Sequence, residues 1–147
     1  MELTRRLLLT SAAVALAGGT VLIGTQYLAR ADTARVMTPP EAMEAAIAGD
    51  ILLVDVRRPD EWATTGLPQG AVGIDMRRDD FLEAVLAARA YSEQPVAVIC
   101  ARGVRSARVT RLFEEAGIAS IVDVPEGMLG SRAGPGWLQR GLPVTTP

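Results

Sequence analysis

The chain has 147 residues, 49% of them hydrophobic, with a formal net charge of −2. That length predicts one domain with a short extension, and the near-neutral charge with 4% aromatic residues offers no basic, aromatic-laced stripe for nucleic acid. With no histidine and one cysteine, the chain excludes a Cys-His or Ser-His hydrolase, a structural zinc site and an internal disulfide.

The N-terminal segment carries Arg5-Arg6 ahead of a charge-free run from Leu7 to Leu28, then Ala29-Arg30-Ala31. A charged start, an apolar middle and a small-x-small site form the pattern of a cleaved leader. Thr4-Arg5-Arg6-Leu7-Leu8-Leu9 resembles a twin-arginine export signal, which implies the export machinery as a partner. The alternatives are an ordinary secretory signal and an uncleaved membrane anchor, since the run is long enough to span a bilayer. Each places the domain outside the cytoplasm, in the periplasm on the favoured reading. Residues 1–31 are therefore assigned to the leader or anchor, 32–35 to a linker and 36–147 to the domain.

Within the domain, Val36-Met37 predicts a brief strand and Thr38 a helix N-cap, with Pro39 and Pro40 in the first turn of a helix ending at Gly49. Ile51–Val56 reads as a buried strand, Pro59–Thr64 as a helical turn and Ala71–Ile74 as a short strand. Asp79 or Asp80 starts a helix that runs through Phe81, Leu82, Val85 and Leu86 to Ala90. Val96-Ala97-Val98-Ile99 is a continuously apolar strand ending on Cys100. Val109, Leu112, Phe113 and Ala116 then recur at helical spacing on a helix from Val104 to Ala116, and Ser120–Val124 closes the series. Alternating strands and helices predict an α/β fold, a doubly wound, mainly parallel five-stranded sheet flanked by helices. Ligands of such sheets lie beyond the carboxyl ends of the strands, which gathers the loops after Val56, Ile99 and Val124.

Cys100 is where the chemistry is concentrated. A strand passing through Ala101-Arg102-Gly103 into a helix at Val104-Arg105-Ser106 points backbone N–H groups and the positive helix end at the sulfur. Thiols in such settings have pKa values of about 3.5–7.5, against about 8.5 when free. The bland alternative is a small buried hydrophobe, with Arg102 a solvated surface residue and Ser106 a plain helix cap. Asp55 is expected to anchor neighbouring backbone amides, and Arg57 and Glu61 to stand at the rim, where a solvated salt bridge would be the ordinary role.

Cys100-x-x-Gly103-x-Arg105 resembles the active-site loop of the rhodanese family. Asp55-x-Arg57 with Pro59-Asp60-Glu61-Trp62, then Gly66, Gly70-Ala71 and Trp137 before Gly141-Leu142-Pro143-Val144, extend the likeness over about Val36 to Val144. The resemblance implies a single-domain sulfurtransferase with Cys100 as nucleophile and a covalent Cys100 persulfide. The backbone of Ala101, Arg102, Gly103, Val104, Arg105 and Ser106 would hold the sulfur, and Arg102 and Arg105 an anionic donor such as thiosulfate or a persulfide. A thiol or cyanide would be the acceptor. Six residues from cysteine to arginine match the sulfur-transferring members; the related cell-cycle phosphatases carry one more.

Two departures from the family pattern stand out. Gly66-Leu67-Pro68-Gln69-Gly70 lacks the histidine usual in that turn, and Glu126-Gly127 stands where paired glycines are common, ahead of the longer run Leu129 to Gly136. That loop either narrows the pocket and offers Arg132 to the donor, or is an inert connector. The alternatives to a sulfurtransferase are a non-catalytic docking module, a redox-sensing thiol, and a small phosphatase or arsenate reductase.

Overall fold

The computed structural model describes residues 36–147; the expected leader or anchor and the linker lie outside the described residues. Thr38 opens helix α1 (Pro39–Ala48), its backbone N–H and its hydroxyl both donating to Glu41 Oε2, at 2.9 and 2.7 Å. The chain continues through β1 (Leu52–Asp55), α2 (Pro59–Thr65), β2 (Leu67–Pro68), β3 (Ala71–Gly73), α3 (Phe81–Ala87), β4 (Val96–Ile99), α4 (Val104–Glu115), β5 (Ile121–Asp123), α5 (Gly136–Gln139) and β6 (Val144–Thr145).

The main sheet is parallel, in the order β3-β1-β4-β5. Among the described residues the expected fifth strand is reduced to one parallel bridge, Val36 with Asp123, and the sheet has four strands. Thr38 caps a helix two residues after Val36, which leaves no length for the ladder to run on past Met37. A separate antiparallel pair joins β2 to β6; the Leu-Pro and Val-Thr dipeptides that form it are too short to register as strands in the sequence.

Alternation along the strands sorts the core onto two faces. Leu52, Val54, Val96, Val98 and Cys100 pack with Phe81, Val85, Val109 and Phe113 of α3 and α4. Leu53, Ala97, Ile99 and Val122 pack with Ala42, Met128 and Trp137 on the other face. Phe81 and Phe113 meet edge to face at 6.2 Å, a geometry that adds roughly 0.5–1.5 kcal/mol beyond the area they bury. Leu112, expected in the apolar stripe, is instead 45% exposed; Ser106 joins Val109 and Phe113 on the buried face of α4. Cys100 thus enters the α3/α4 face at the end of the central strand β4, with β1 and β5 on either side.

Candidate active site

The β4 strand delivers Cys100 to the base of a tight loop, where the residue is 1% exposed. Gly103 turns the chain with φ +83° and caps α4, so Ser106 lies inside the helix and is not its cap. The Gly103 amide donates to Cys100 Sγ at 3.2 Å. The thiol in turn donates to Ser106 Oγ at 3.6 Å, while that hydroxyl donates to the Gly103 carbonyl at 3.2 Å. Among the described residues, these are the polar contacts of the sulfur. The amides of Val104, Arg105 and Ser106, in the first turn of α4, sit at positions without an intrahelical acceptor.

The loop after β5 clamps the cysteine loop. Met128 N donates to the Cys100 carbonyl at 2.8 Å and Leu129 N to the Ala101 carbonyl at 2.9 Å. Two glycines permit this closeness. A Cβ at Gly103 would collide with the Pro125 carbonyl, and one at Gly127 would lie 2.5 Å from the Ala101 carbonyl. Arg102 reaches over to donate to the Gly130 carbonyl at 3.3 Å.

Arg105 is engaged by Glu61. Its two terminal nitrogens each donate to one Glu61 carboxylate oxygen at 2.7 Å. Those hydrogen bonds hold the Glu61 pKa at about 2, against the desolvation that opposes it, with help from the Arg58 amide. Arg58 pairs with Asp60 and Arg77 with Asp75 near the same rim. Glu61 is thus partly buried and bound to Arg105 instead of being solvated.

Arg57 is not at the rim: it is 1% exposed. Its Nε and Nη2 donate to Asp55, Nη1 to Thr65 Oγ1 at 2.7 Å and Nη2 to the Gly66 carbonyl at 2.8 Å. Asp55 also accepts from the Arg57 amide at 3.0 Å. This buried pair ties the end of β1 to the end of α2 and thereby fixes the helix that carries Glu61.

Three features escaped sequence reasoning. Glu126 is 3% exposed; its carboxylate accepts from the Gly136 amide at 3.0 Å and from Arg140 Nε and Nη2 at 2.8 Å each. The signal was visible as a carboxylate in a glycine's place. Asp123 has a buried Oδ1 with no hydrogen-bond partner among the described residues, and burial raises its pKa against the opposing Ser106 side chain and Val124 amide. The run Leu129 to Gly136 is a built turn: Ser131 N donates to Gly134 O at 2.9 Å and Ser131 Oγ to Pro125 O at 2.7 Å. Arg132 sits exposed at its tip. Among the described residues no group of His, Cys, Asp and Glu is placed to hold a metal.

The family profile described as "Rhodanese-like domain" matches residues 38–132. No curated protein matches the sequence. Among solved structures, Rv0390 from M. tuberculosis is similar at 30% identity and TM-score 0.58, over 76% of this chain and 97% of its own. The polysulfide-sulfur transferase homodimer from Wolinella succinogenes is 28% identical with TM-score 0.57, over 86% of this chain and 88% of its own. RPA3614 of Rhodopseudomonas palustris, described as a possible tyrosine phosphatase, is 18% identical with TM-score 0.55, over 77% and 86%; that likeness is one of fold alone.

Proposed function

The chain belongs to the rhodanese-like domain family, and from that premise we propose that it is a sulfurtransferase working through a Cys100 persulfide. The single observation that carries this is the placement of Cys100 Sγ, 3.2 Å from the Gly103 amide at the base of a six-residue Cys100-to-Arg105 loop. Its likeness to a polysulfide-sulfur transferase supports the same reading.

In the first half-reaction the Cys100 thiolate attacks the outer sulfur of thiosulfate. The S–S bond of the donor breaks, sulfite leaves with its electron pair, and Cys100–S–S⁻ forms. A persulfide donor reacts in the same way and releases its thiolate. In the second, an acceptor thiolate attacks the outer sulfur and becomes a persulfide, or cyanide becomes thiocyanate, and the Cys100 thiolate returns. No proton need be moved by an imidazole, in keeping with a chain that has none. The N-terminal amides of α4 and the helix dipole suit the terminal sulfur anion. Arg102, exposed and bound only to a carbonyl, is the cation best free to meet an anionic donor; Arg105 contributes as half of its pair with Glu61. Such a two-step covalent cycle gives ping-pong kinetics. It requires no cofactor beyond the persulfide.

The leader motif supports an extracytoplasmic, periplasmic workplace, soluble after cleavage near Ala31 or tethered if uncut. The test of function is the intact mass of the purified protein before and after thiosulfate, with Cys100→Ser alongside. A gain of one sulfur on the wild type alone, removed by cyanide, is expected. No gain with thiosulfate or a persulfide donor would overturn the reading and favour a docking module.

A further inference from the structure

Arginine is the only basic residue type in this chain, and its partners divide the surface. Arg57, Arg58, Arg77, Arg78, Arg105 and Arg140 each form an ion pair with a carboxylate. Arg102, Arg108 and Arg111 have none among the described residues, and all three lie on the loop and helix that follow Cys100. Arg89 and Arg132, the other two without one, stand singly on separate segments. Of the carboxylates around the loop, Glu61 is engaged by Arg105 and Glu126 by Arg140, and Asp123, beside Ser106, turns a buried oxygen inward. In a chain of net charge −2, the positive charge left uncompensated is thus concentrated beside the nucleophile.

The helix geometry puts these charges on one line. Ser106, Val109 and Phe113 face the core of α4, so at 100° per residue Val104, Arg108 and Arg111 fall on the opposite, outward face, and Glu115 closes that line at its far end. Val104 is 78% exposed and Leu112, on the flank, 45%. Protein-binding surfaces are enriched in arginine and depleted in lysine, and Val104 and Leu112 add exposed apolar area among these arginines. From Arg102 to Arg111 the line advances nine positions, roughly 13 Å at helical rise. That is longer than a small dianion and suited to a protein surface. From Ala101 to Glu115 the one aromatic side chain, Phe113, is buried, so none on this loop and helix is free to stack a nucleic-acid base. Cys100 itself is 1% exposed, so a macromolecular thiol has to reach it on a protruding segment whose approach something must guide.

We propose that the outward face of α4, Arg108 and Arg111 with Val104 and Leu112, extended by Arg102, docks an acidic protein whose cysteine exchanges sulfur with Cys100. This rests on the sulfurtransferase reading and names the class of its partner. Attraction between unlike charges mainly raises the rate of encounter and is weakened by salt.

The test uses two synthetic peptides with the same central cysteine, one flanked by Glu and Leu, the other by Lys and Leu. The full chain is loaded with sulfur from thiosulfate, and transfer to each peptide and to cyanide is followed. The acidic peptide is expected to accept at least tenfold faster at low ionic strength, with the gap shrinking as salt rises. Arg108→Glu with Arg111→Glu should abolish the gap and leave transfer to cyanide within twofold. In parallel, a labelled, cysteine-free acidic peptide should bind the wild type and not the double variant, a readout that stands even where no sulfur loads. Equal rates for the two peptides would overturn the proposal. So would an equal slowing of cyanide by the double variant, or competition by a single-stranded oligonucleotide as strong as that of the acidic peptide. Failure to load sulfur, with peptide binding intact, would instead sink the sulfurtransferase reading alone.

Discussion

Arg105 and Glu61, 44 residues apart, hold each other through two parallel hydrogen bonds of 2.7 Å across the mouth of the Cys100 loop. The pair couples the first turn of α4 to α2, and it neutralises the arginine nearest the helix start. Glu61→Gln removes the competing charge. At partial exposure such a charge is worth about 1 kcal/mol, so the Michaelis constant for thiosulfate is expected to fall roughly fivefold. A rise would mean that Glu61 serves to aim Arg105 at the donor. Because the Glu61 pKa is lowered to about 2, its stabilisation is fully present above the ordinary glutamate pKa and fades as pH falls toward 2. Thermal melts of wild type and Glu61→Gln should therefore converge between about pH 4.5 and pH 2.

The two loops at the site touch only because Gly103 and Gly127 have no side chain. Gly103→Ala drives a methyl into the Pro125 carbonyl at φ +83°. Gly117 provides the control, with φ +79° and nothing within 4 Å of where a methyl would stand. Gly117→Ala should cost only the left-handed strain, about 1–2 kcal/mol. Gly103→Ala adds backbone displacement and should cost about 3 kcal/mol or more, with sulfur loading abolished. Denaturant melts of the two variants measure the difference.

Much of this site is legible in the sequence. The parallel sheet, the Cys100 loop and the Thr38 cap follow from hydrophobic runs and local signals, because each depends on residues close along the chain. What failed depends on distant partners. Arg57 reads as a surface arginine until Asp55, Thr65 and Gly66 surround it. Arg105 shows no partner along the chain until α2 brings Glu61 to it. Leu112 fits the apolar period of α4, yet the sheet covers only an arc centred on Ser106, Val109 and Phe113. The second sheet joins segments near residues 67 and 144, too short for any periodicity to register.

Asp123 makes a pH prediction of opposite sign. Burial raises its pKa, so the folded state holds the Asp123 proton more tightly than the unfolded chain does. Stability contributed by the protonated form is present below the ordinary aspartate pKa and is lost as pH rises through the raised value. Asp123→Asn keeps the shape and removes the charge, and should raise the melting temperature at pH 7 by a few degrees while leaving acidic melts nearly unchanged. An equal change at both pH values would show that the effect is packing and not titration.

Glu126 occupies a glycine's place in the family pattern, and its bond to Arg140 is the compensation. The carboxylate is almost fully buried, the guanidinium about a third exposed, and the Gly136 amide supplies the remaining bond. Arg140→Ala leaves that carboxylate with one amide donor. Removing one partner of a buried pair costs about 3–5 kcal/mol; the exposure of Arg140 brings the expectation down to about 2 kcal/mol. Glu126→Gln keeps the size of the side chain and should cost less, and the double variant should be no worse than Arg140→Ala alone, because the stranded charge is gone. The loop held by this pair supplies the Met128 and Leu129 amides that clamp Cys100 and Ala101, so Arg140→Ala should also slow sulfur transfer to every acceptor alike. A double-mutant cycle read by both melting and turnover separates the two effects. Coupling in stability with unchanged turnover would confine the pair to folding, whereas coupling in both would make it a positioning device for the cysteine loop.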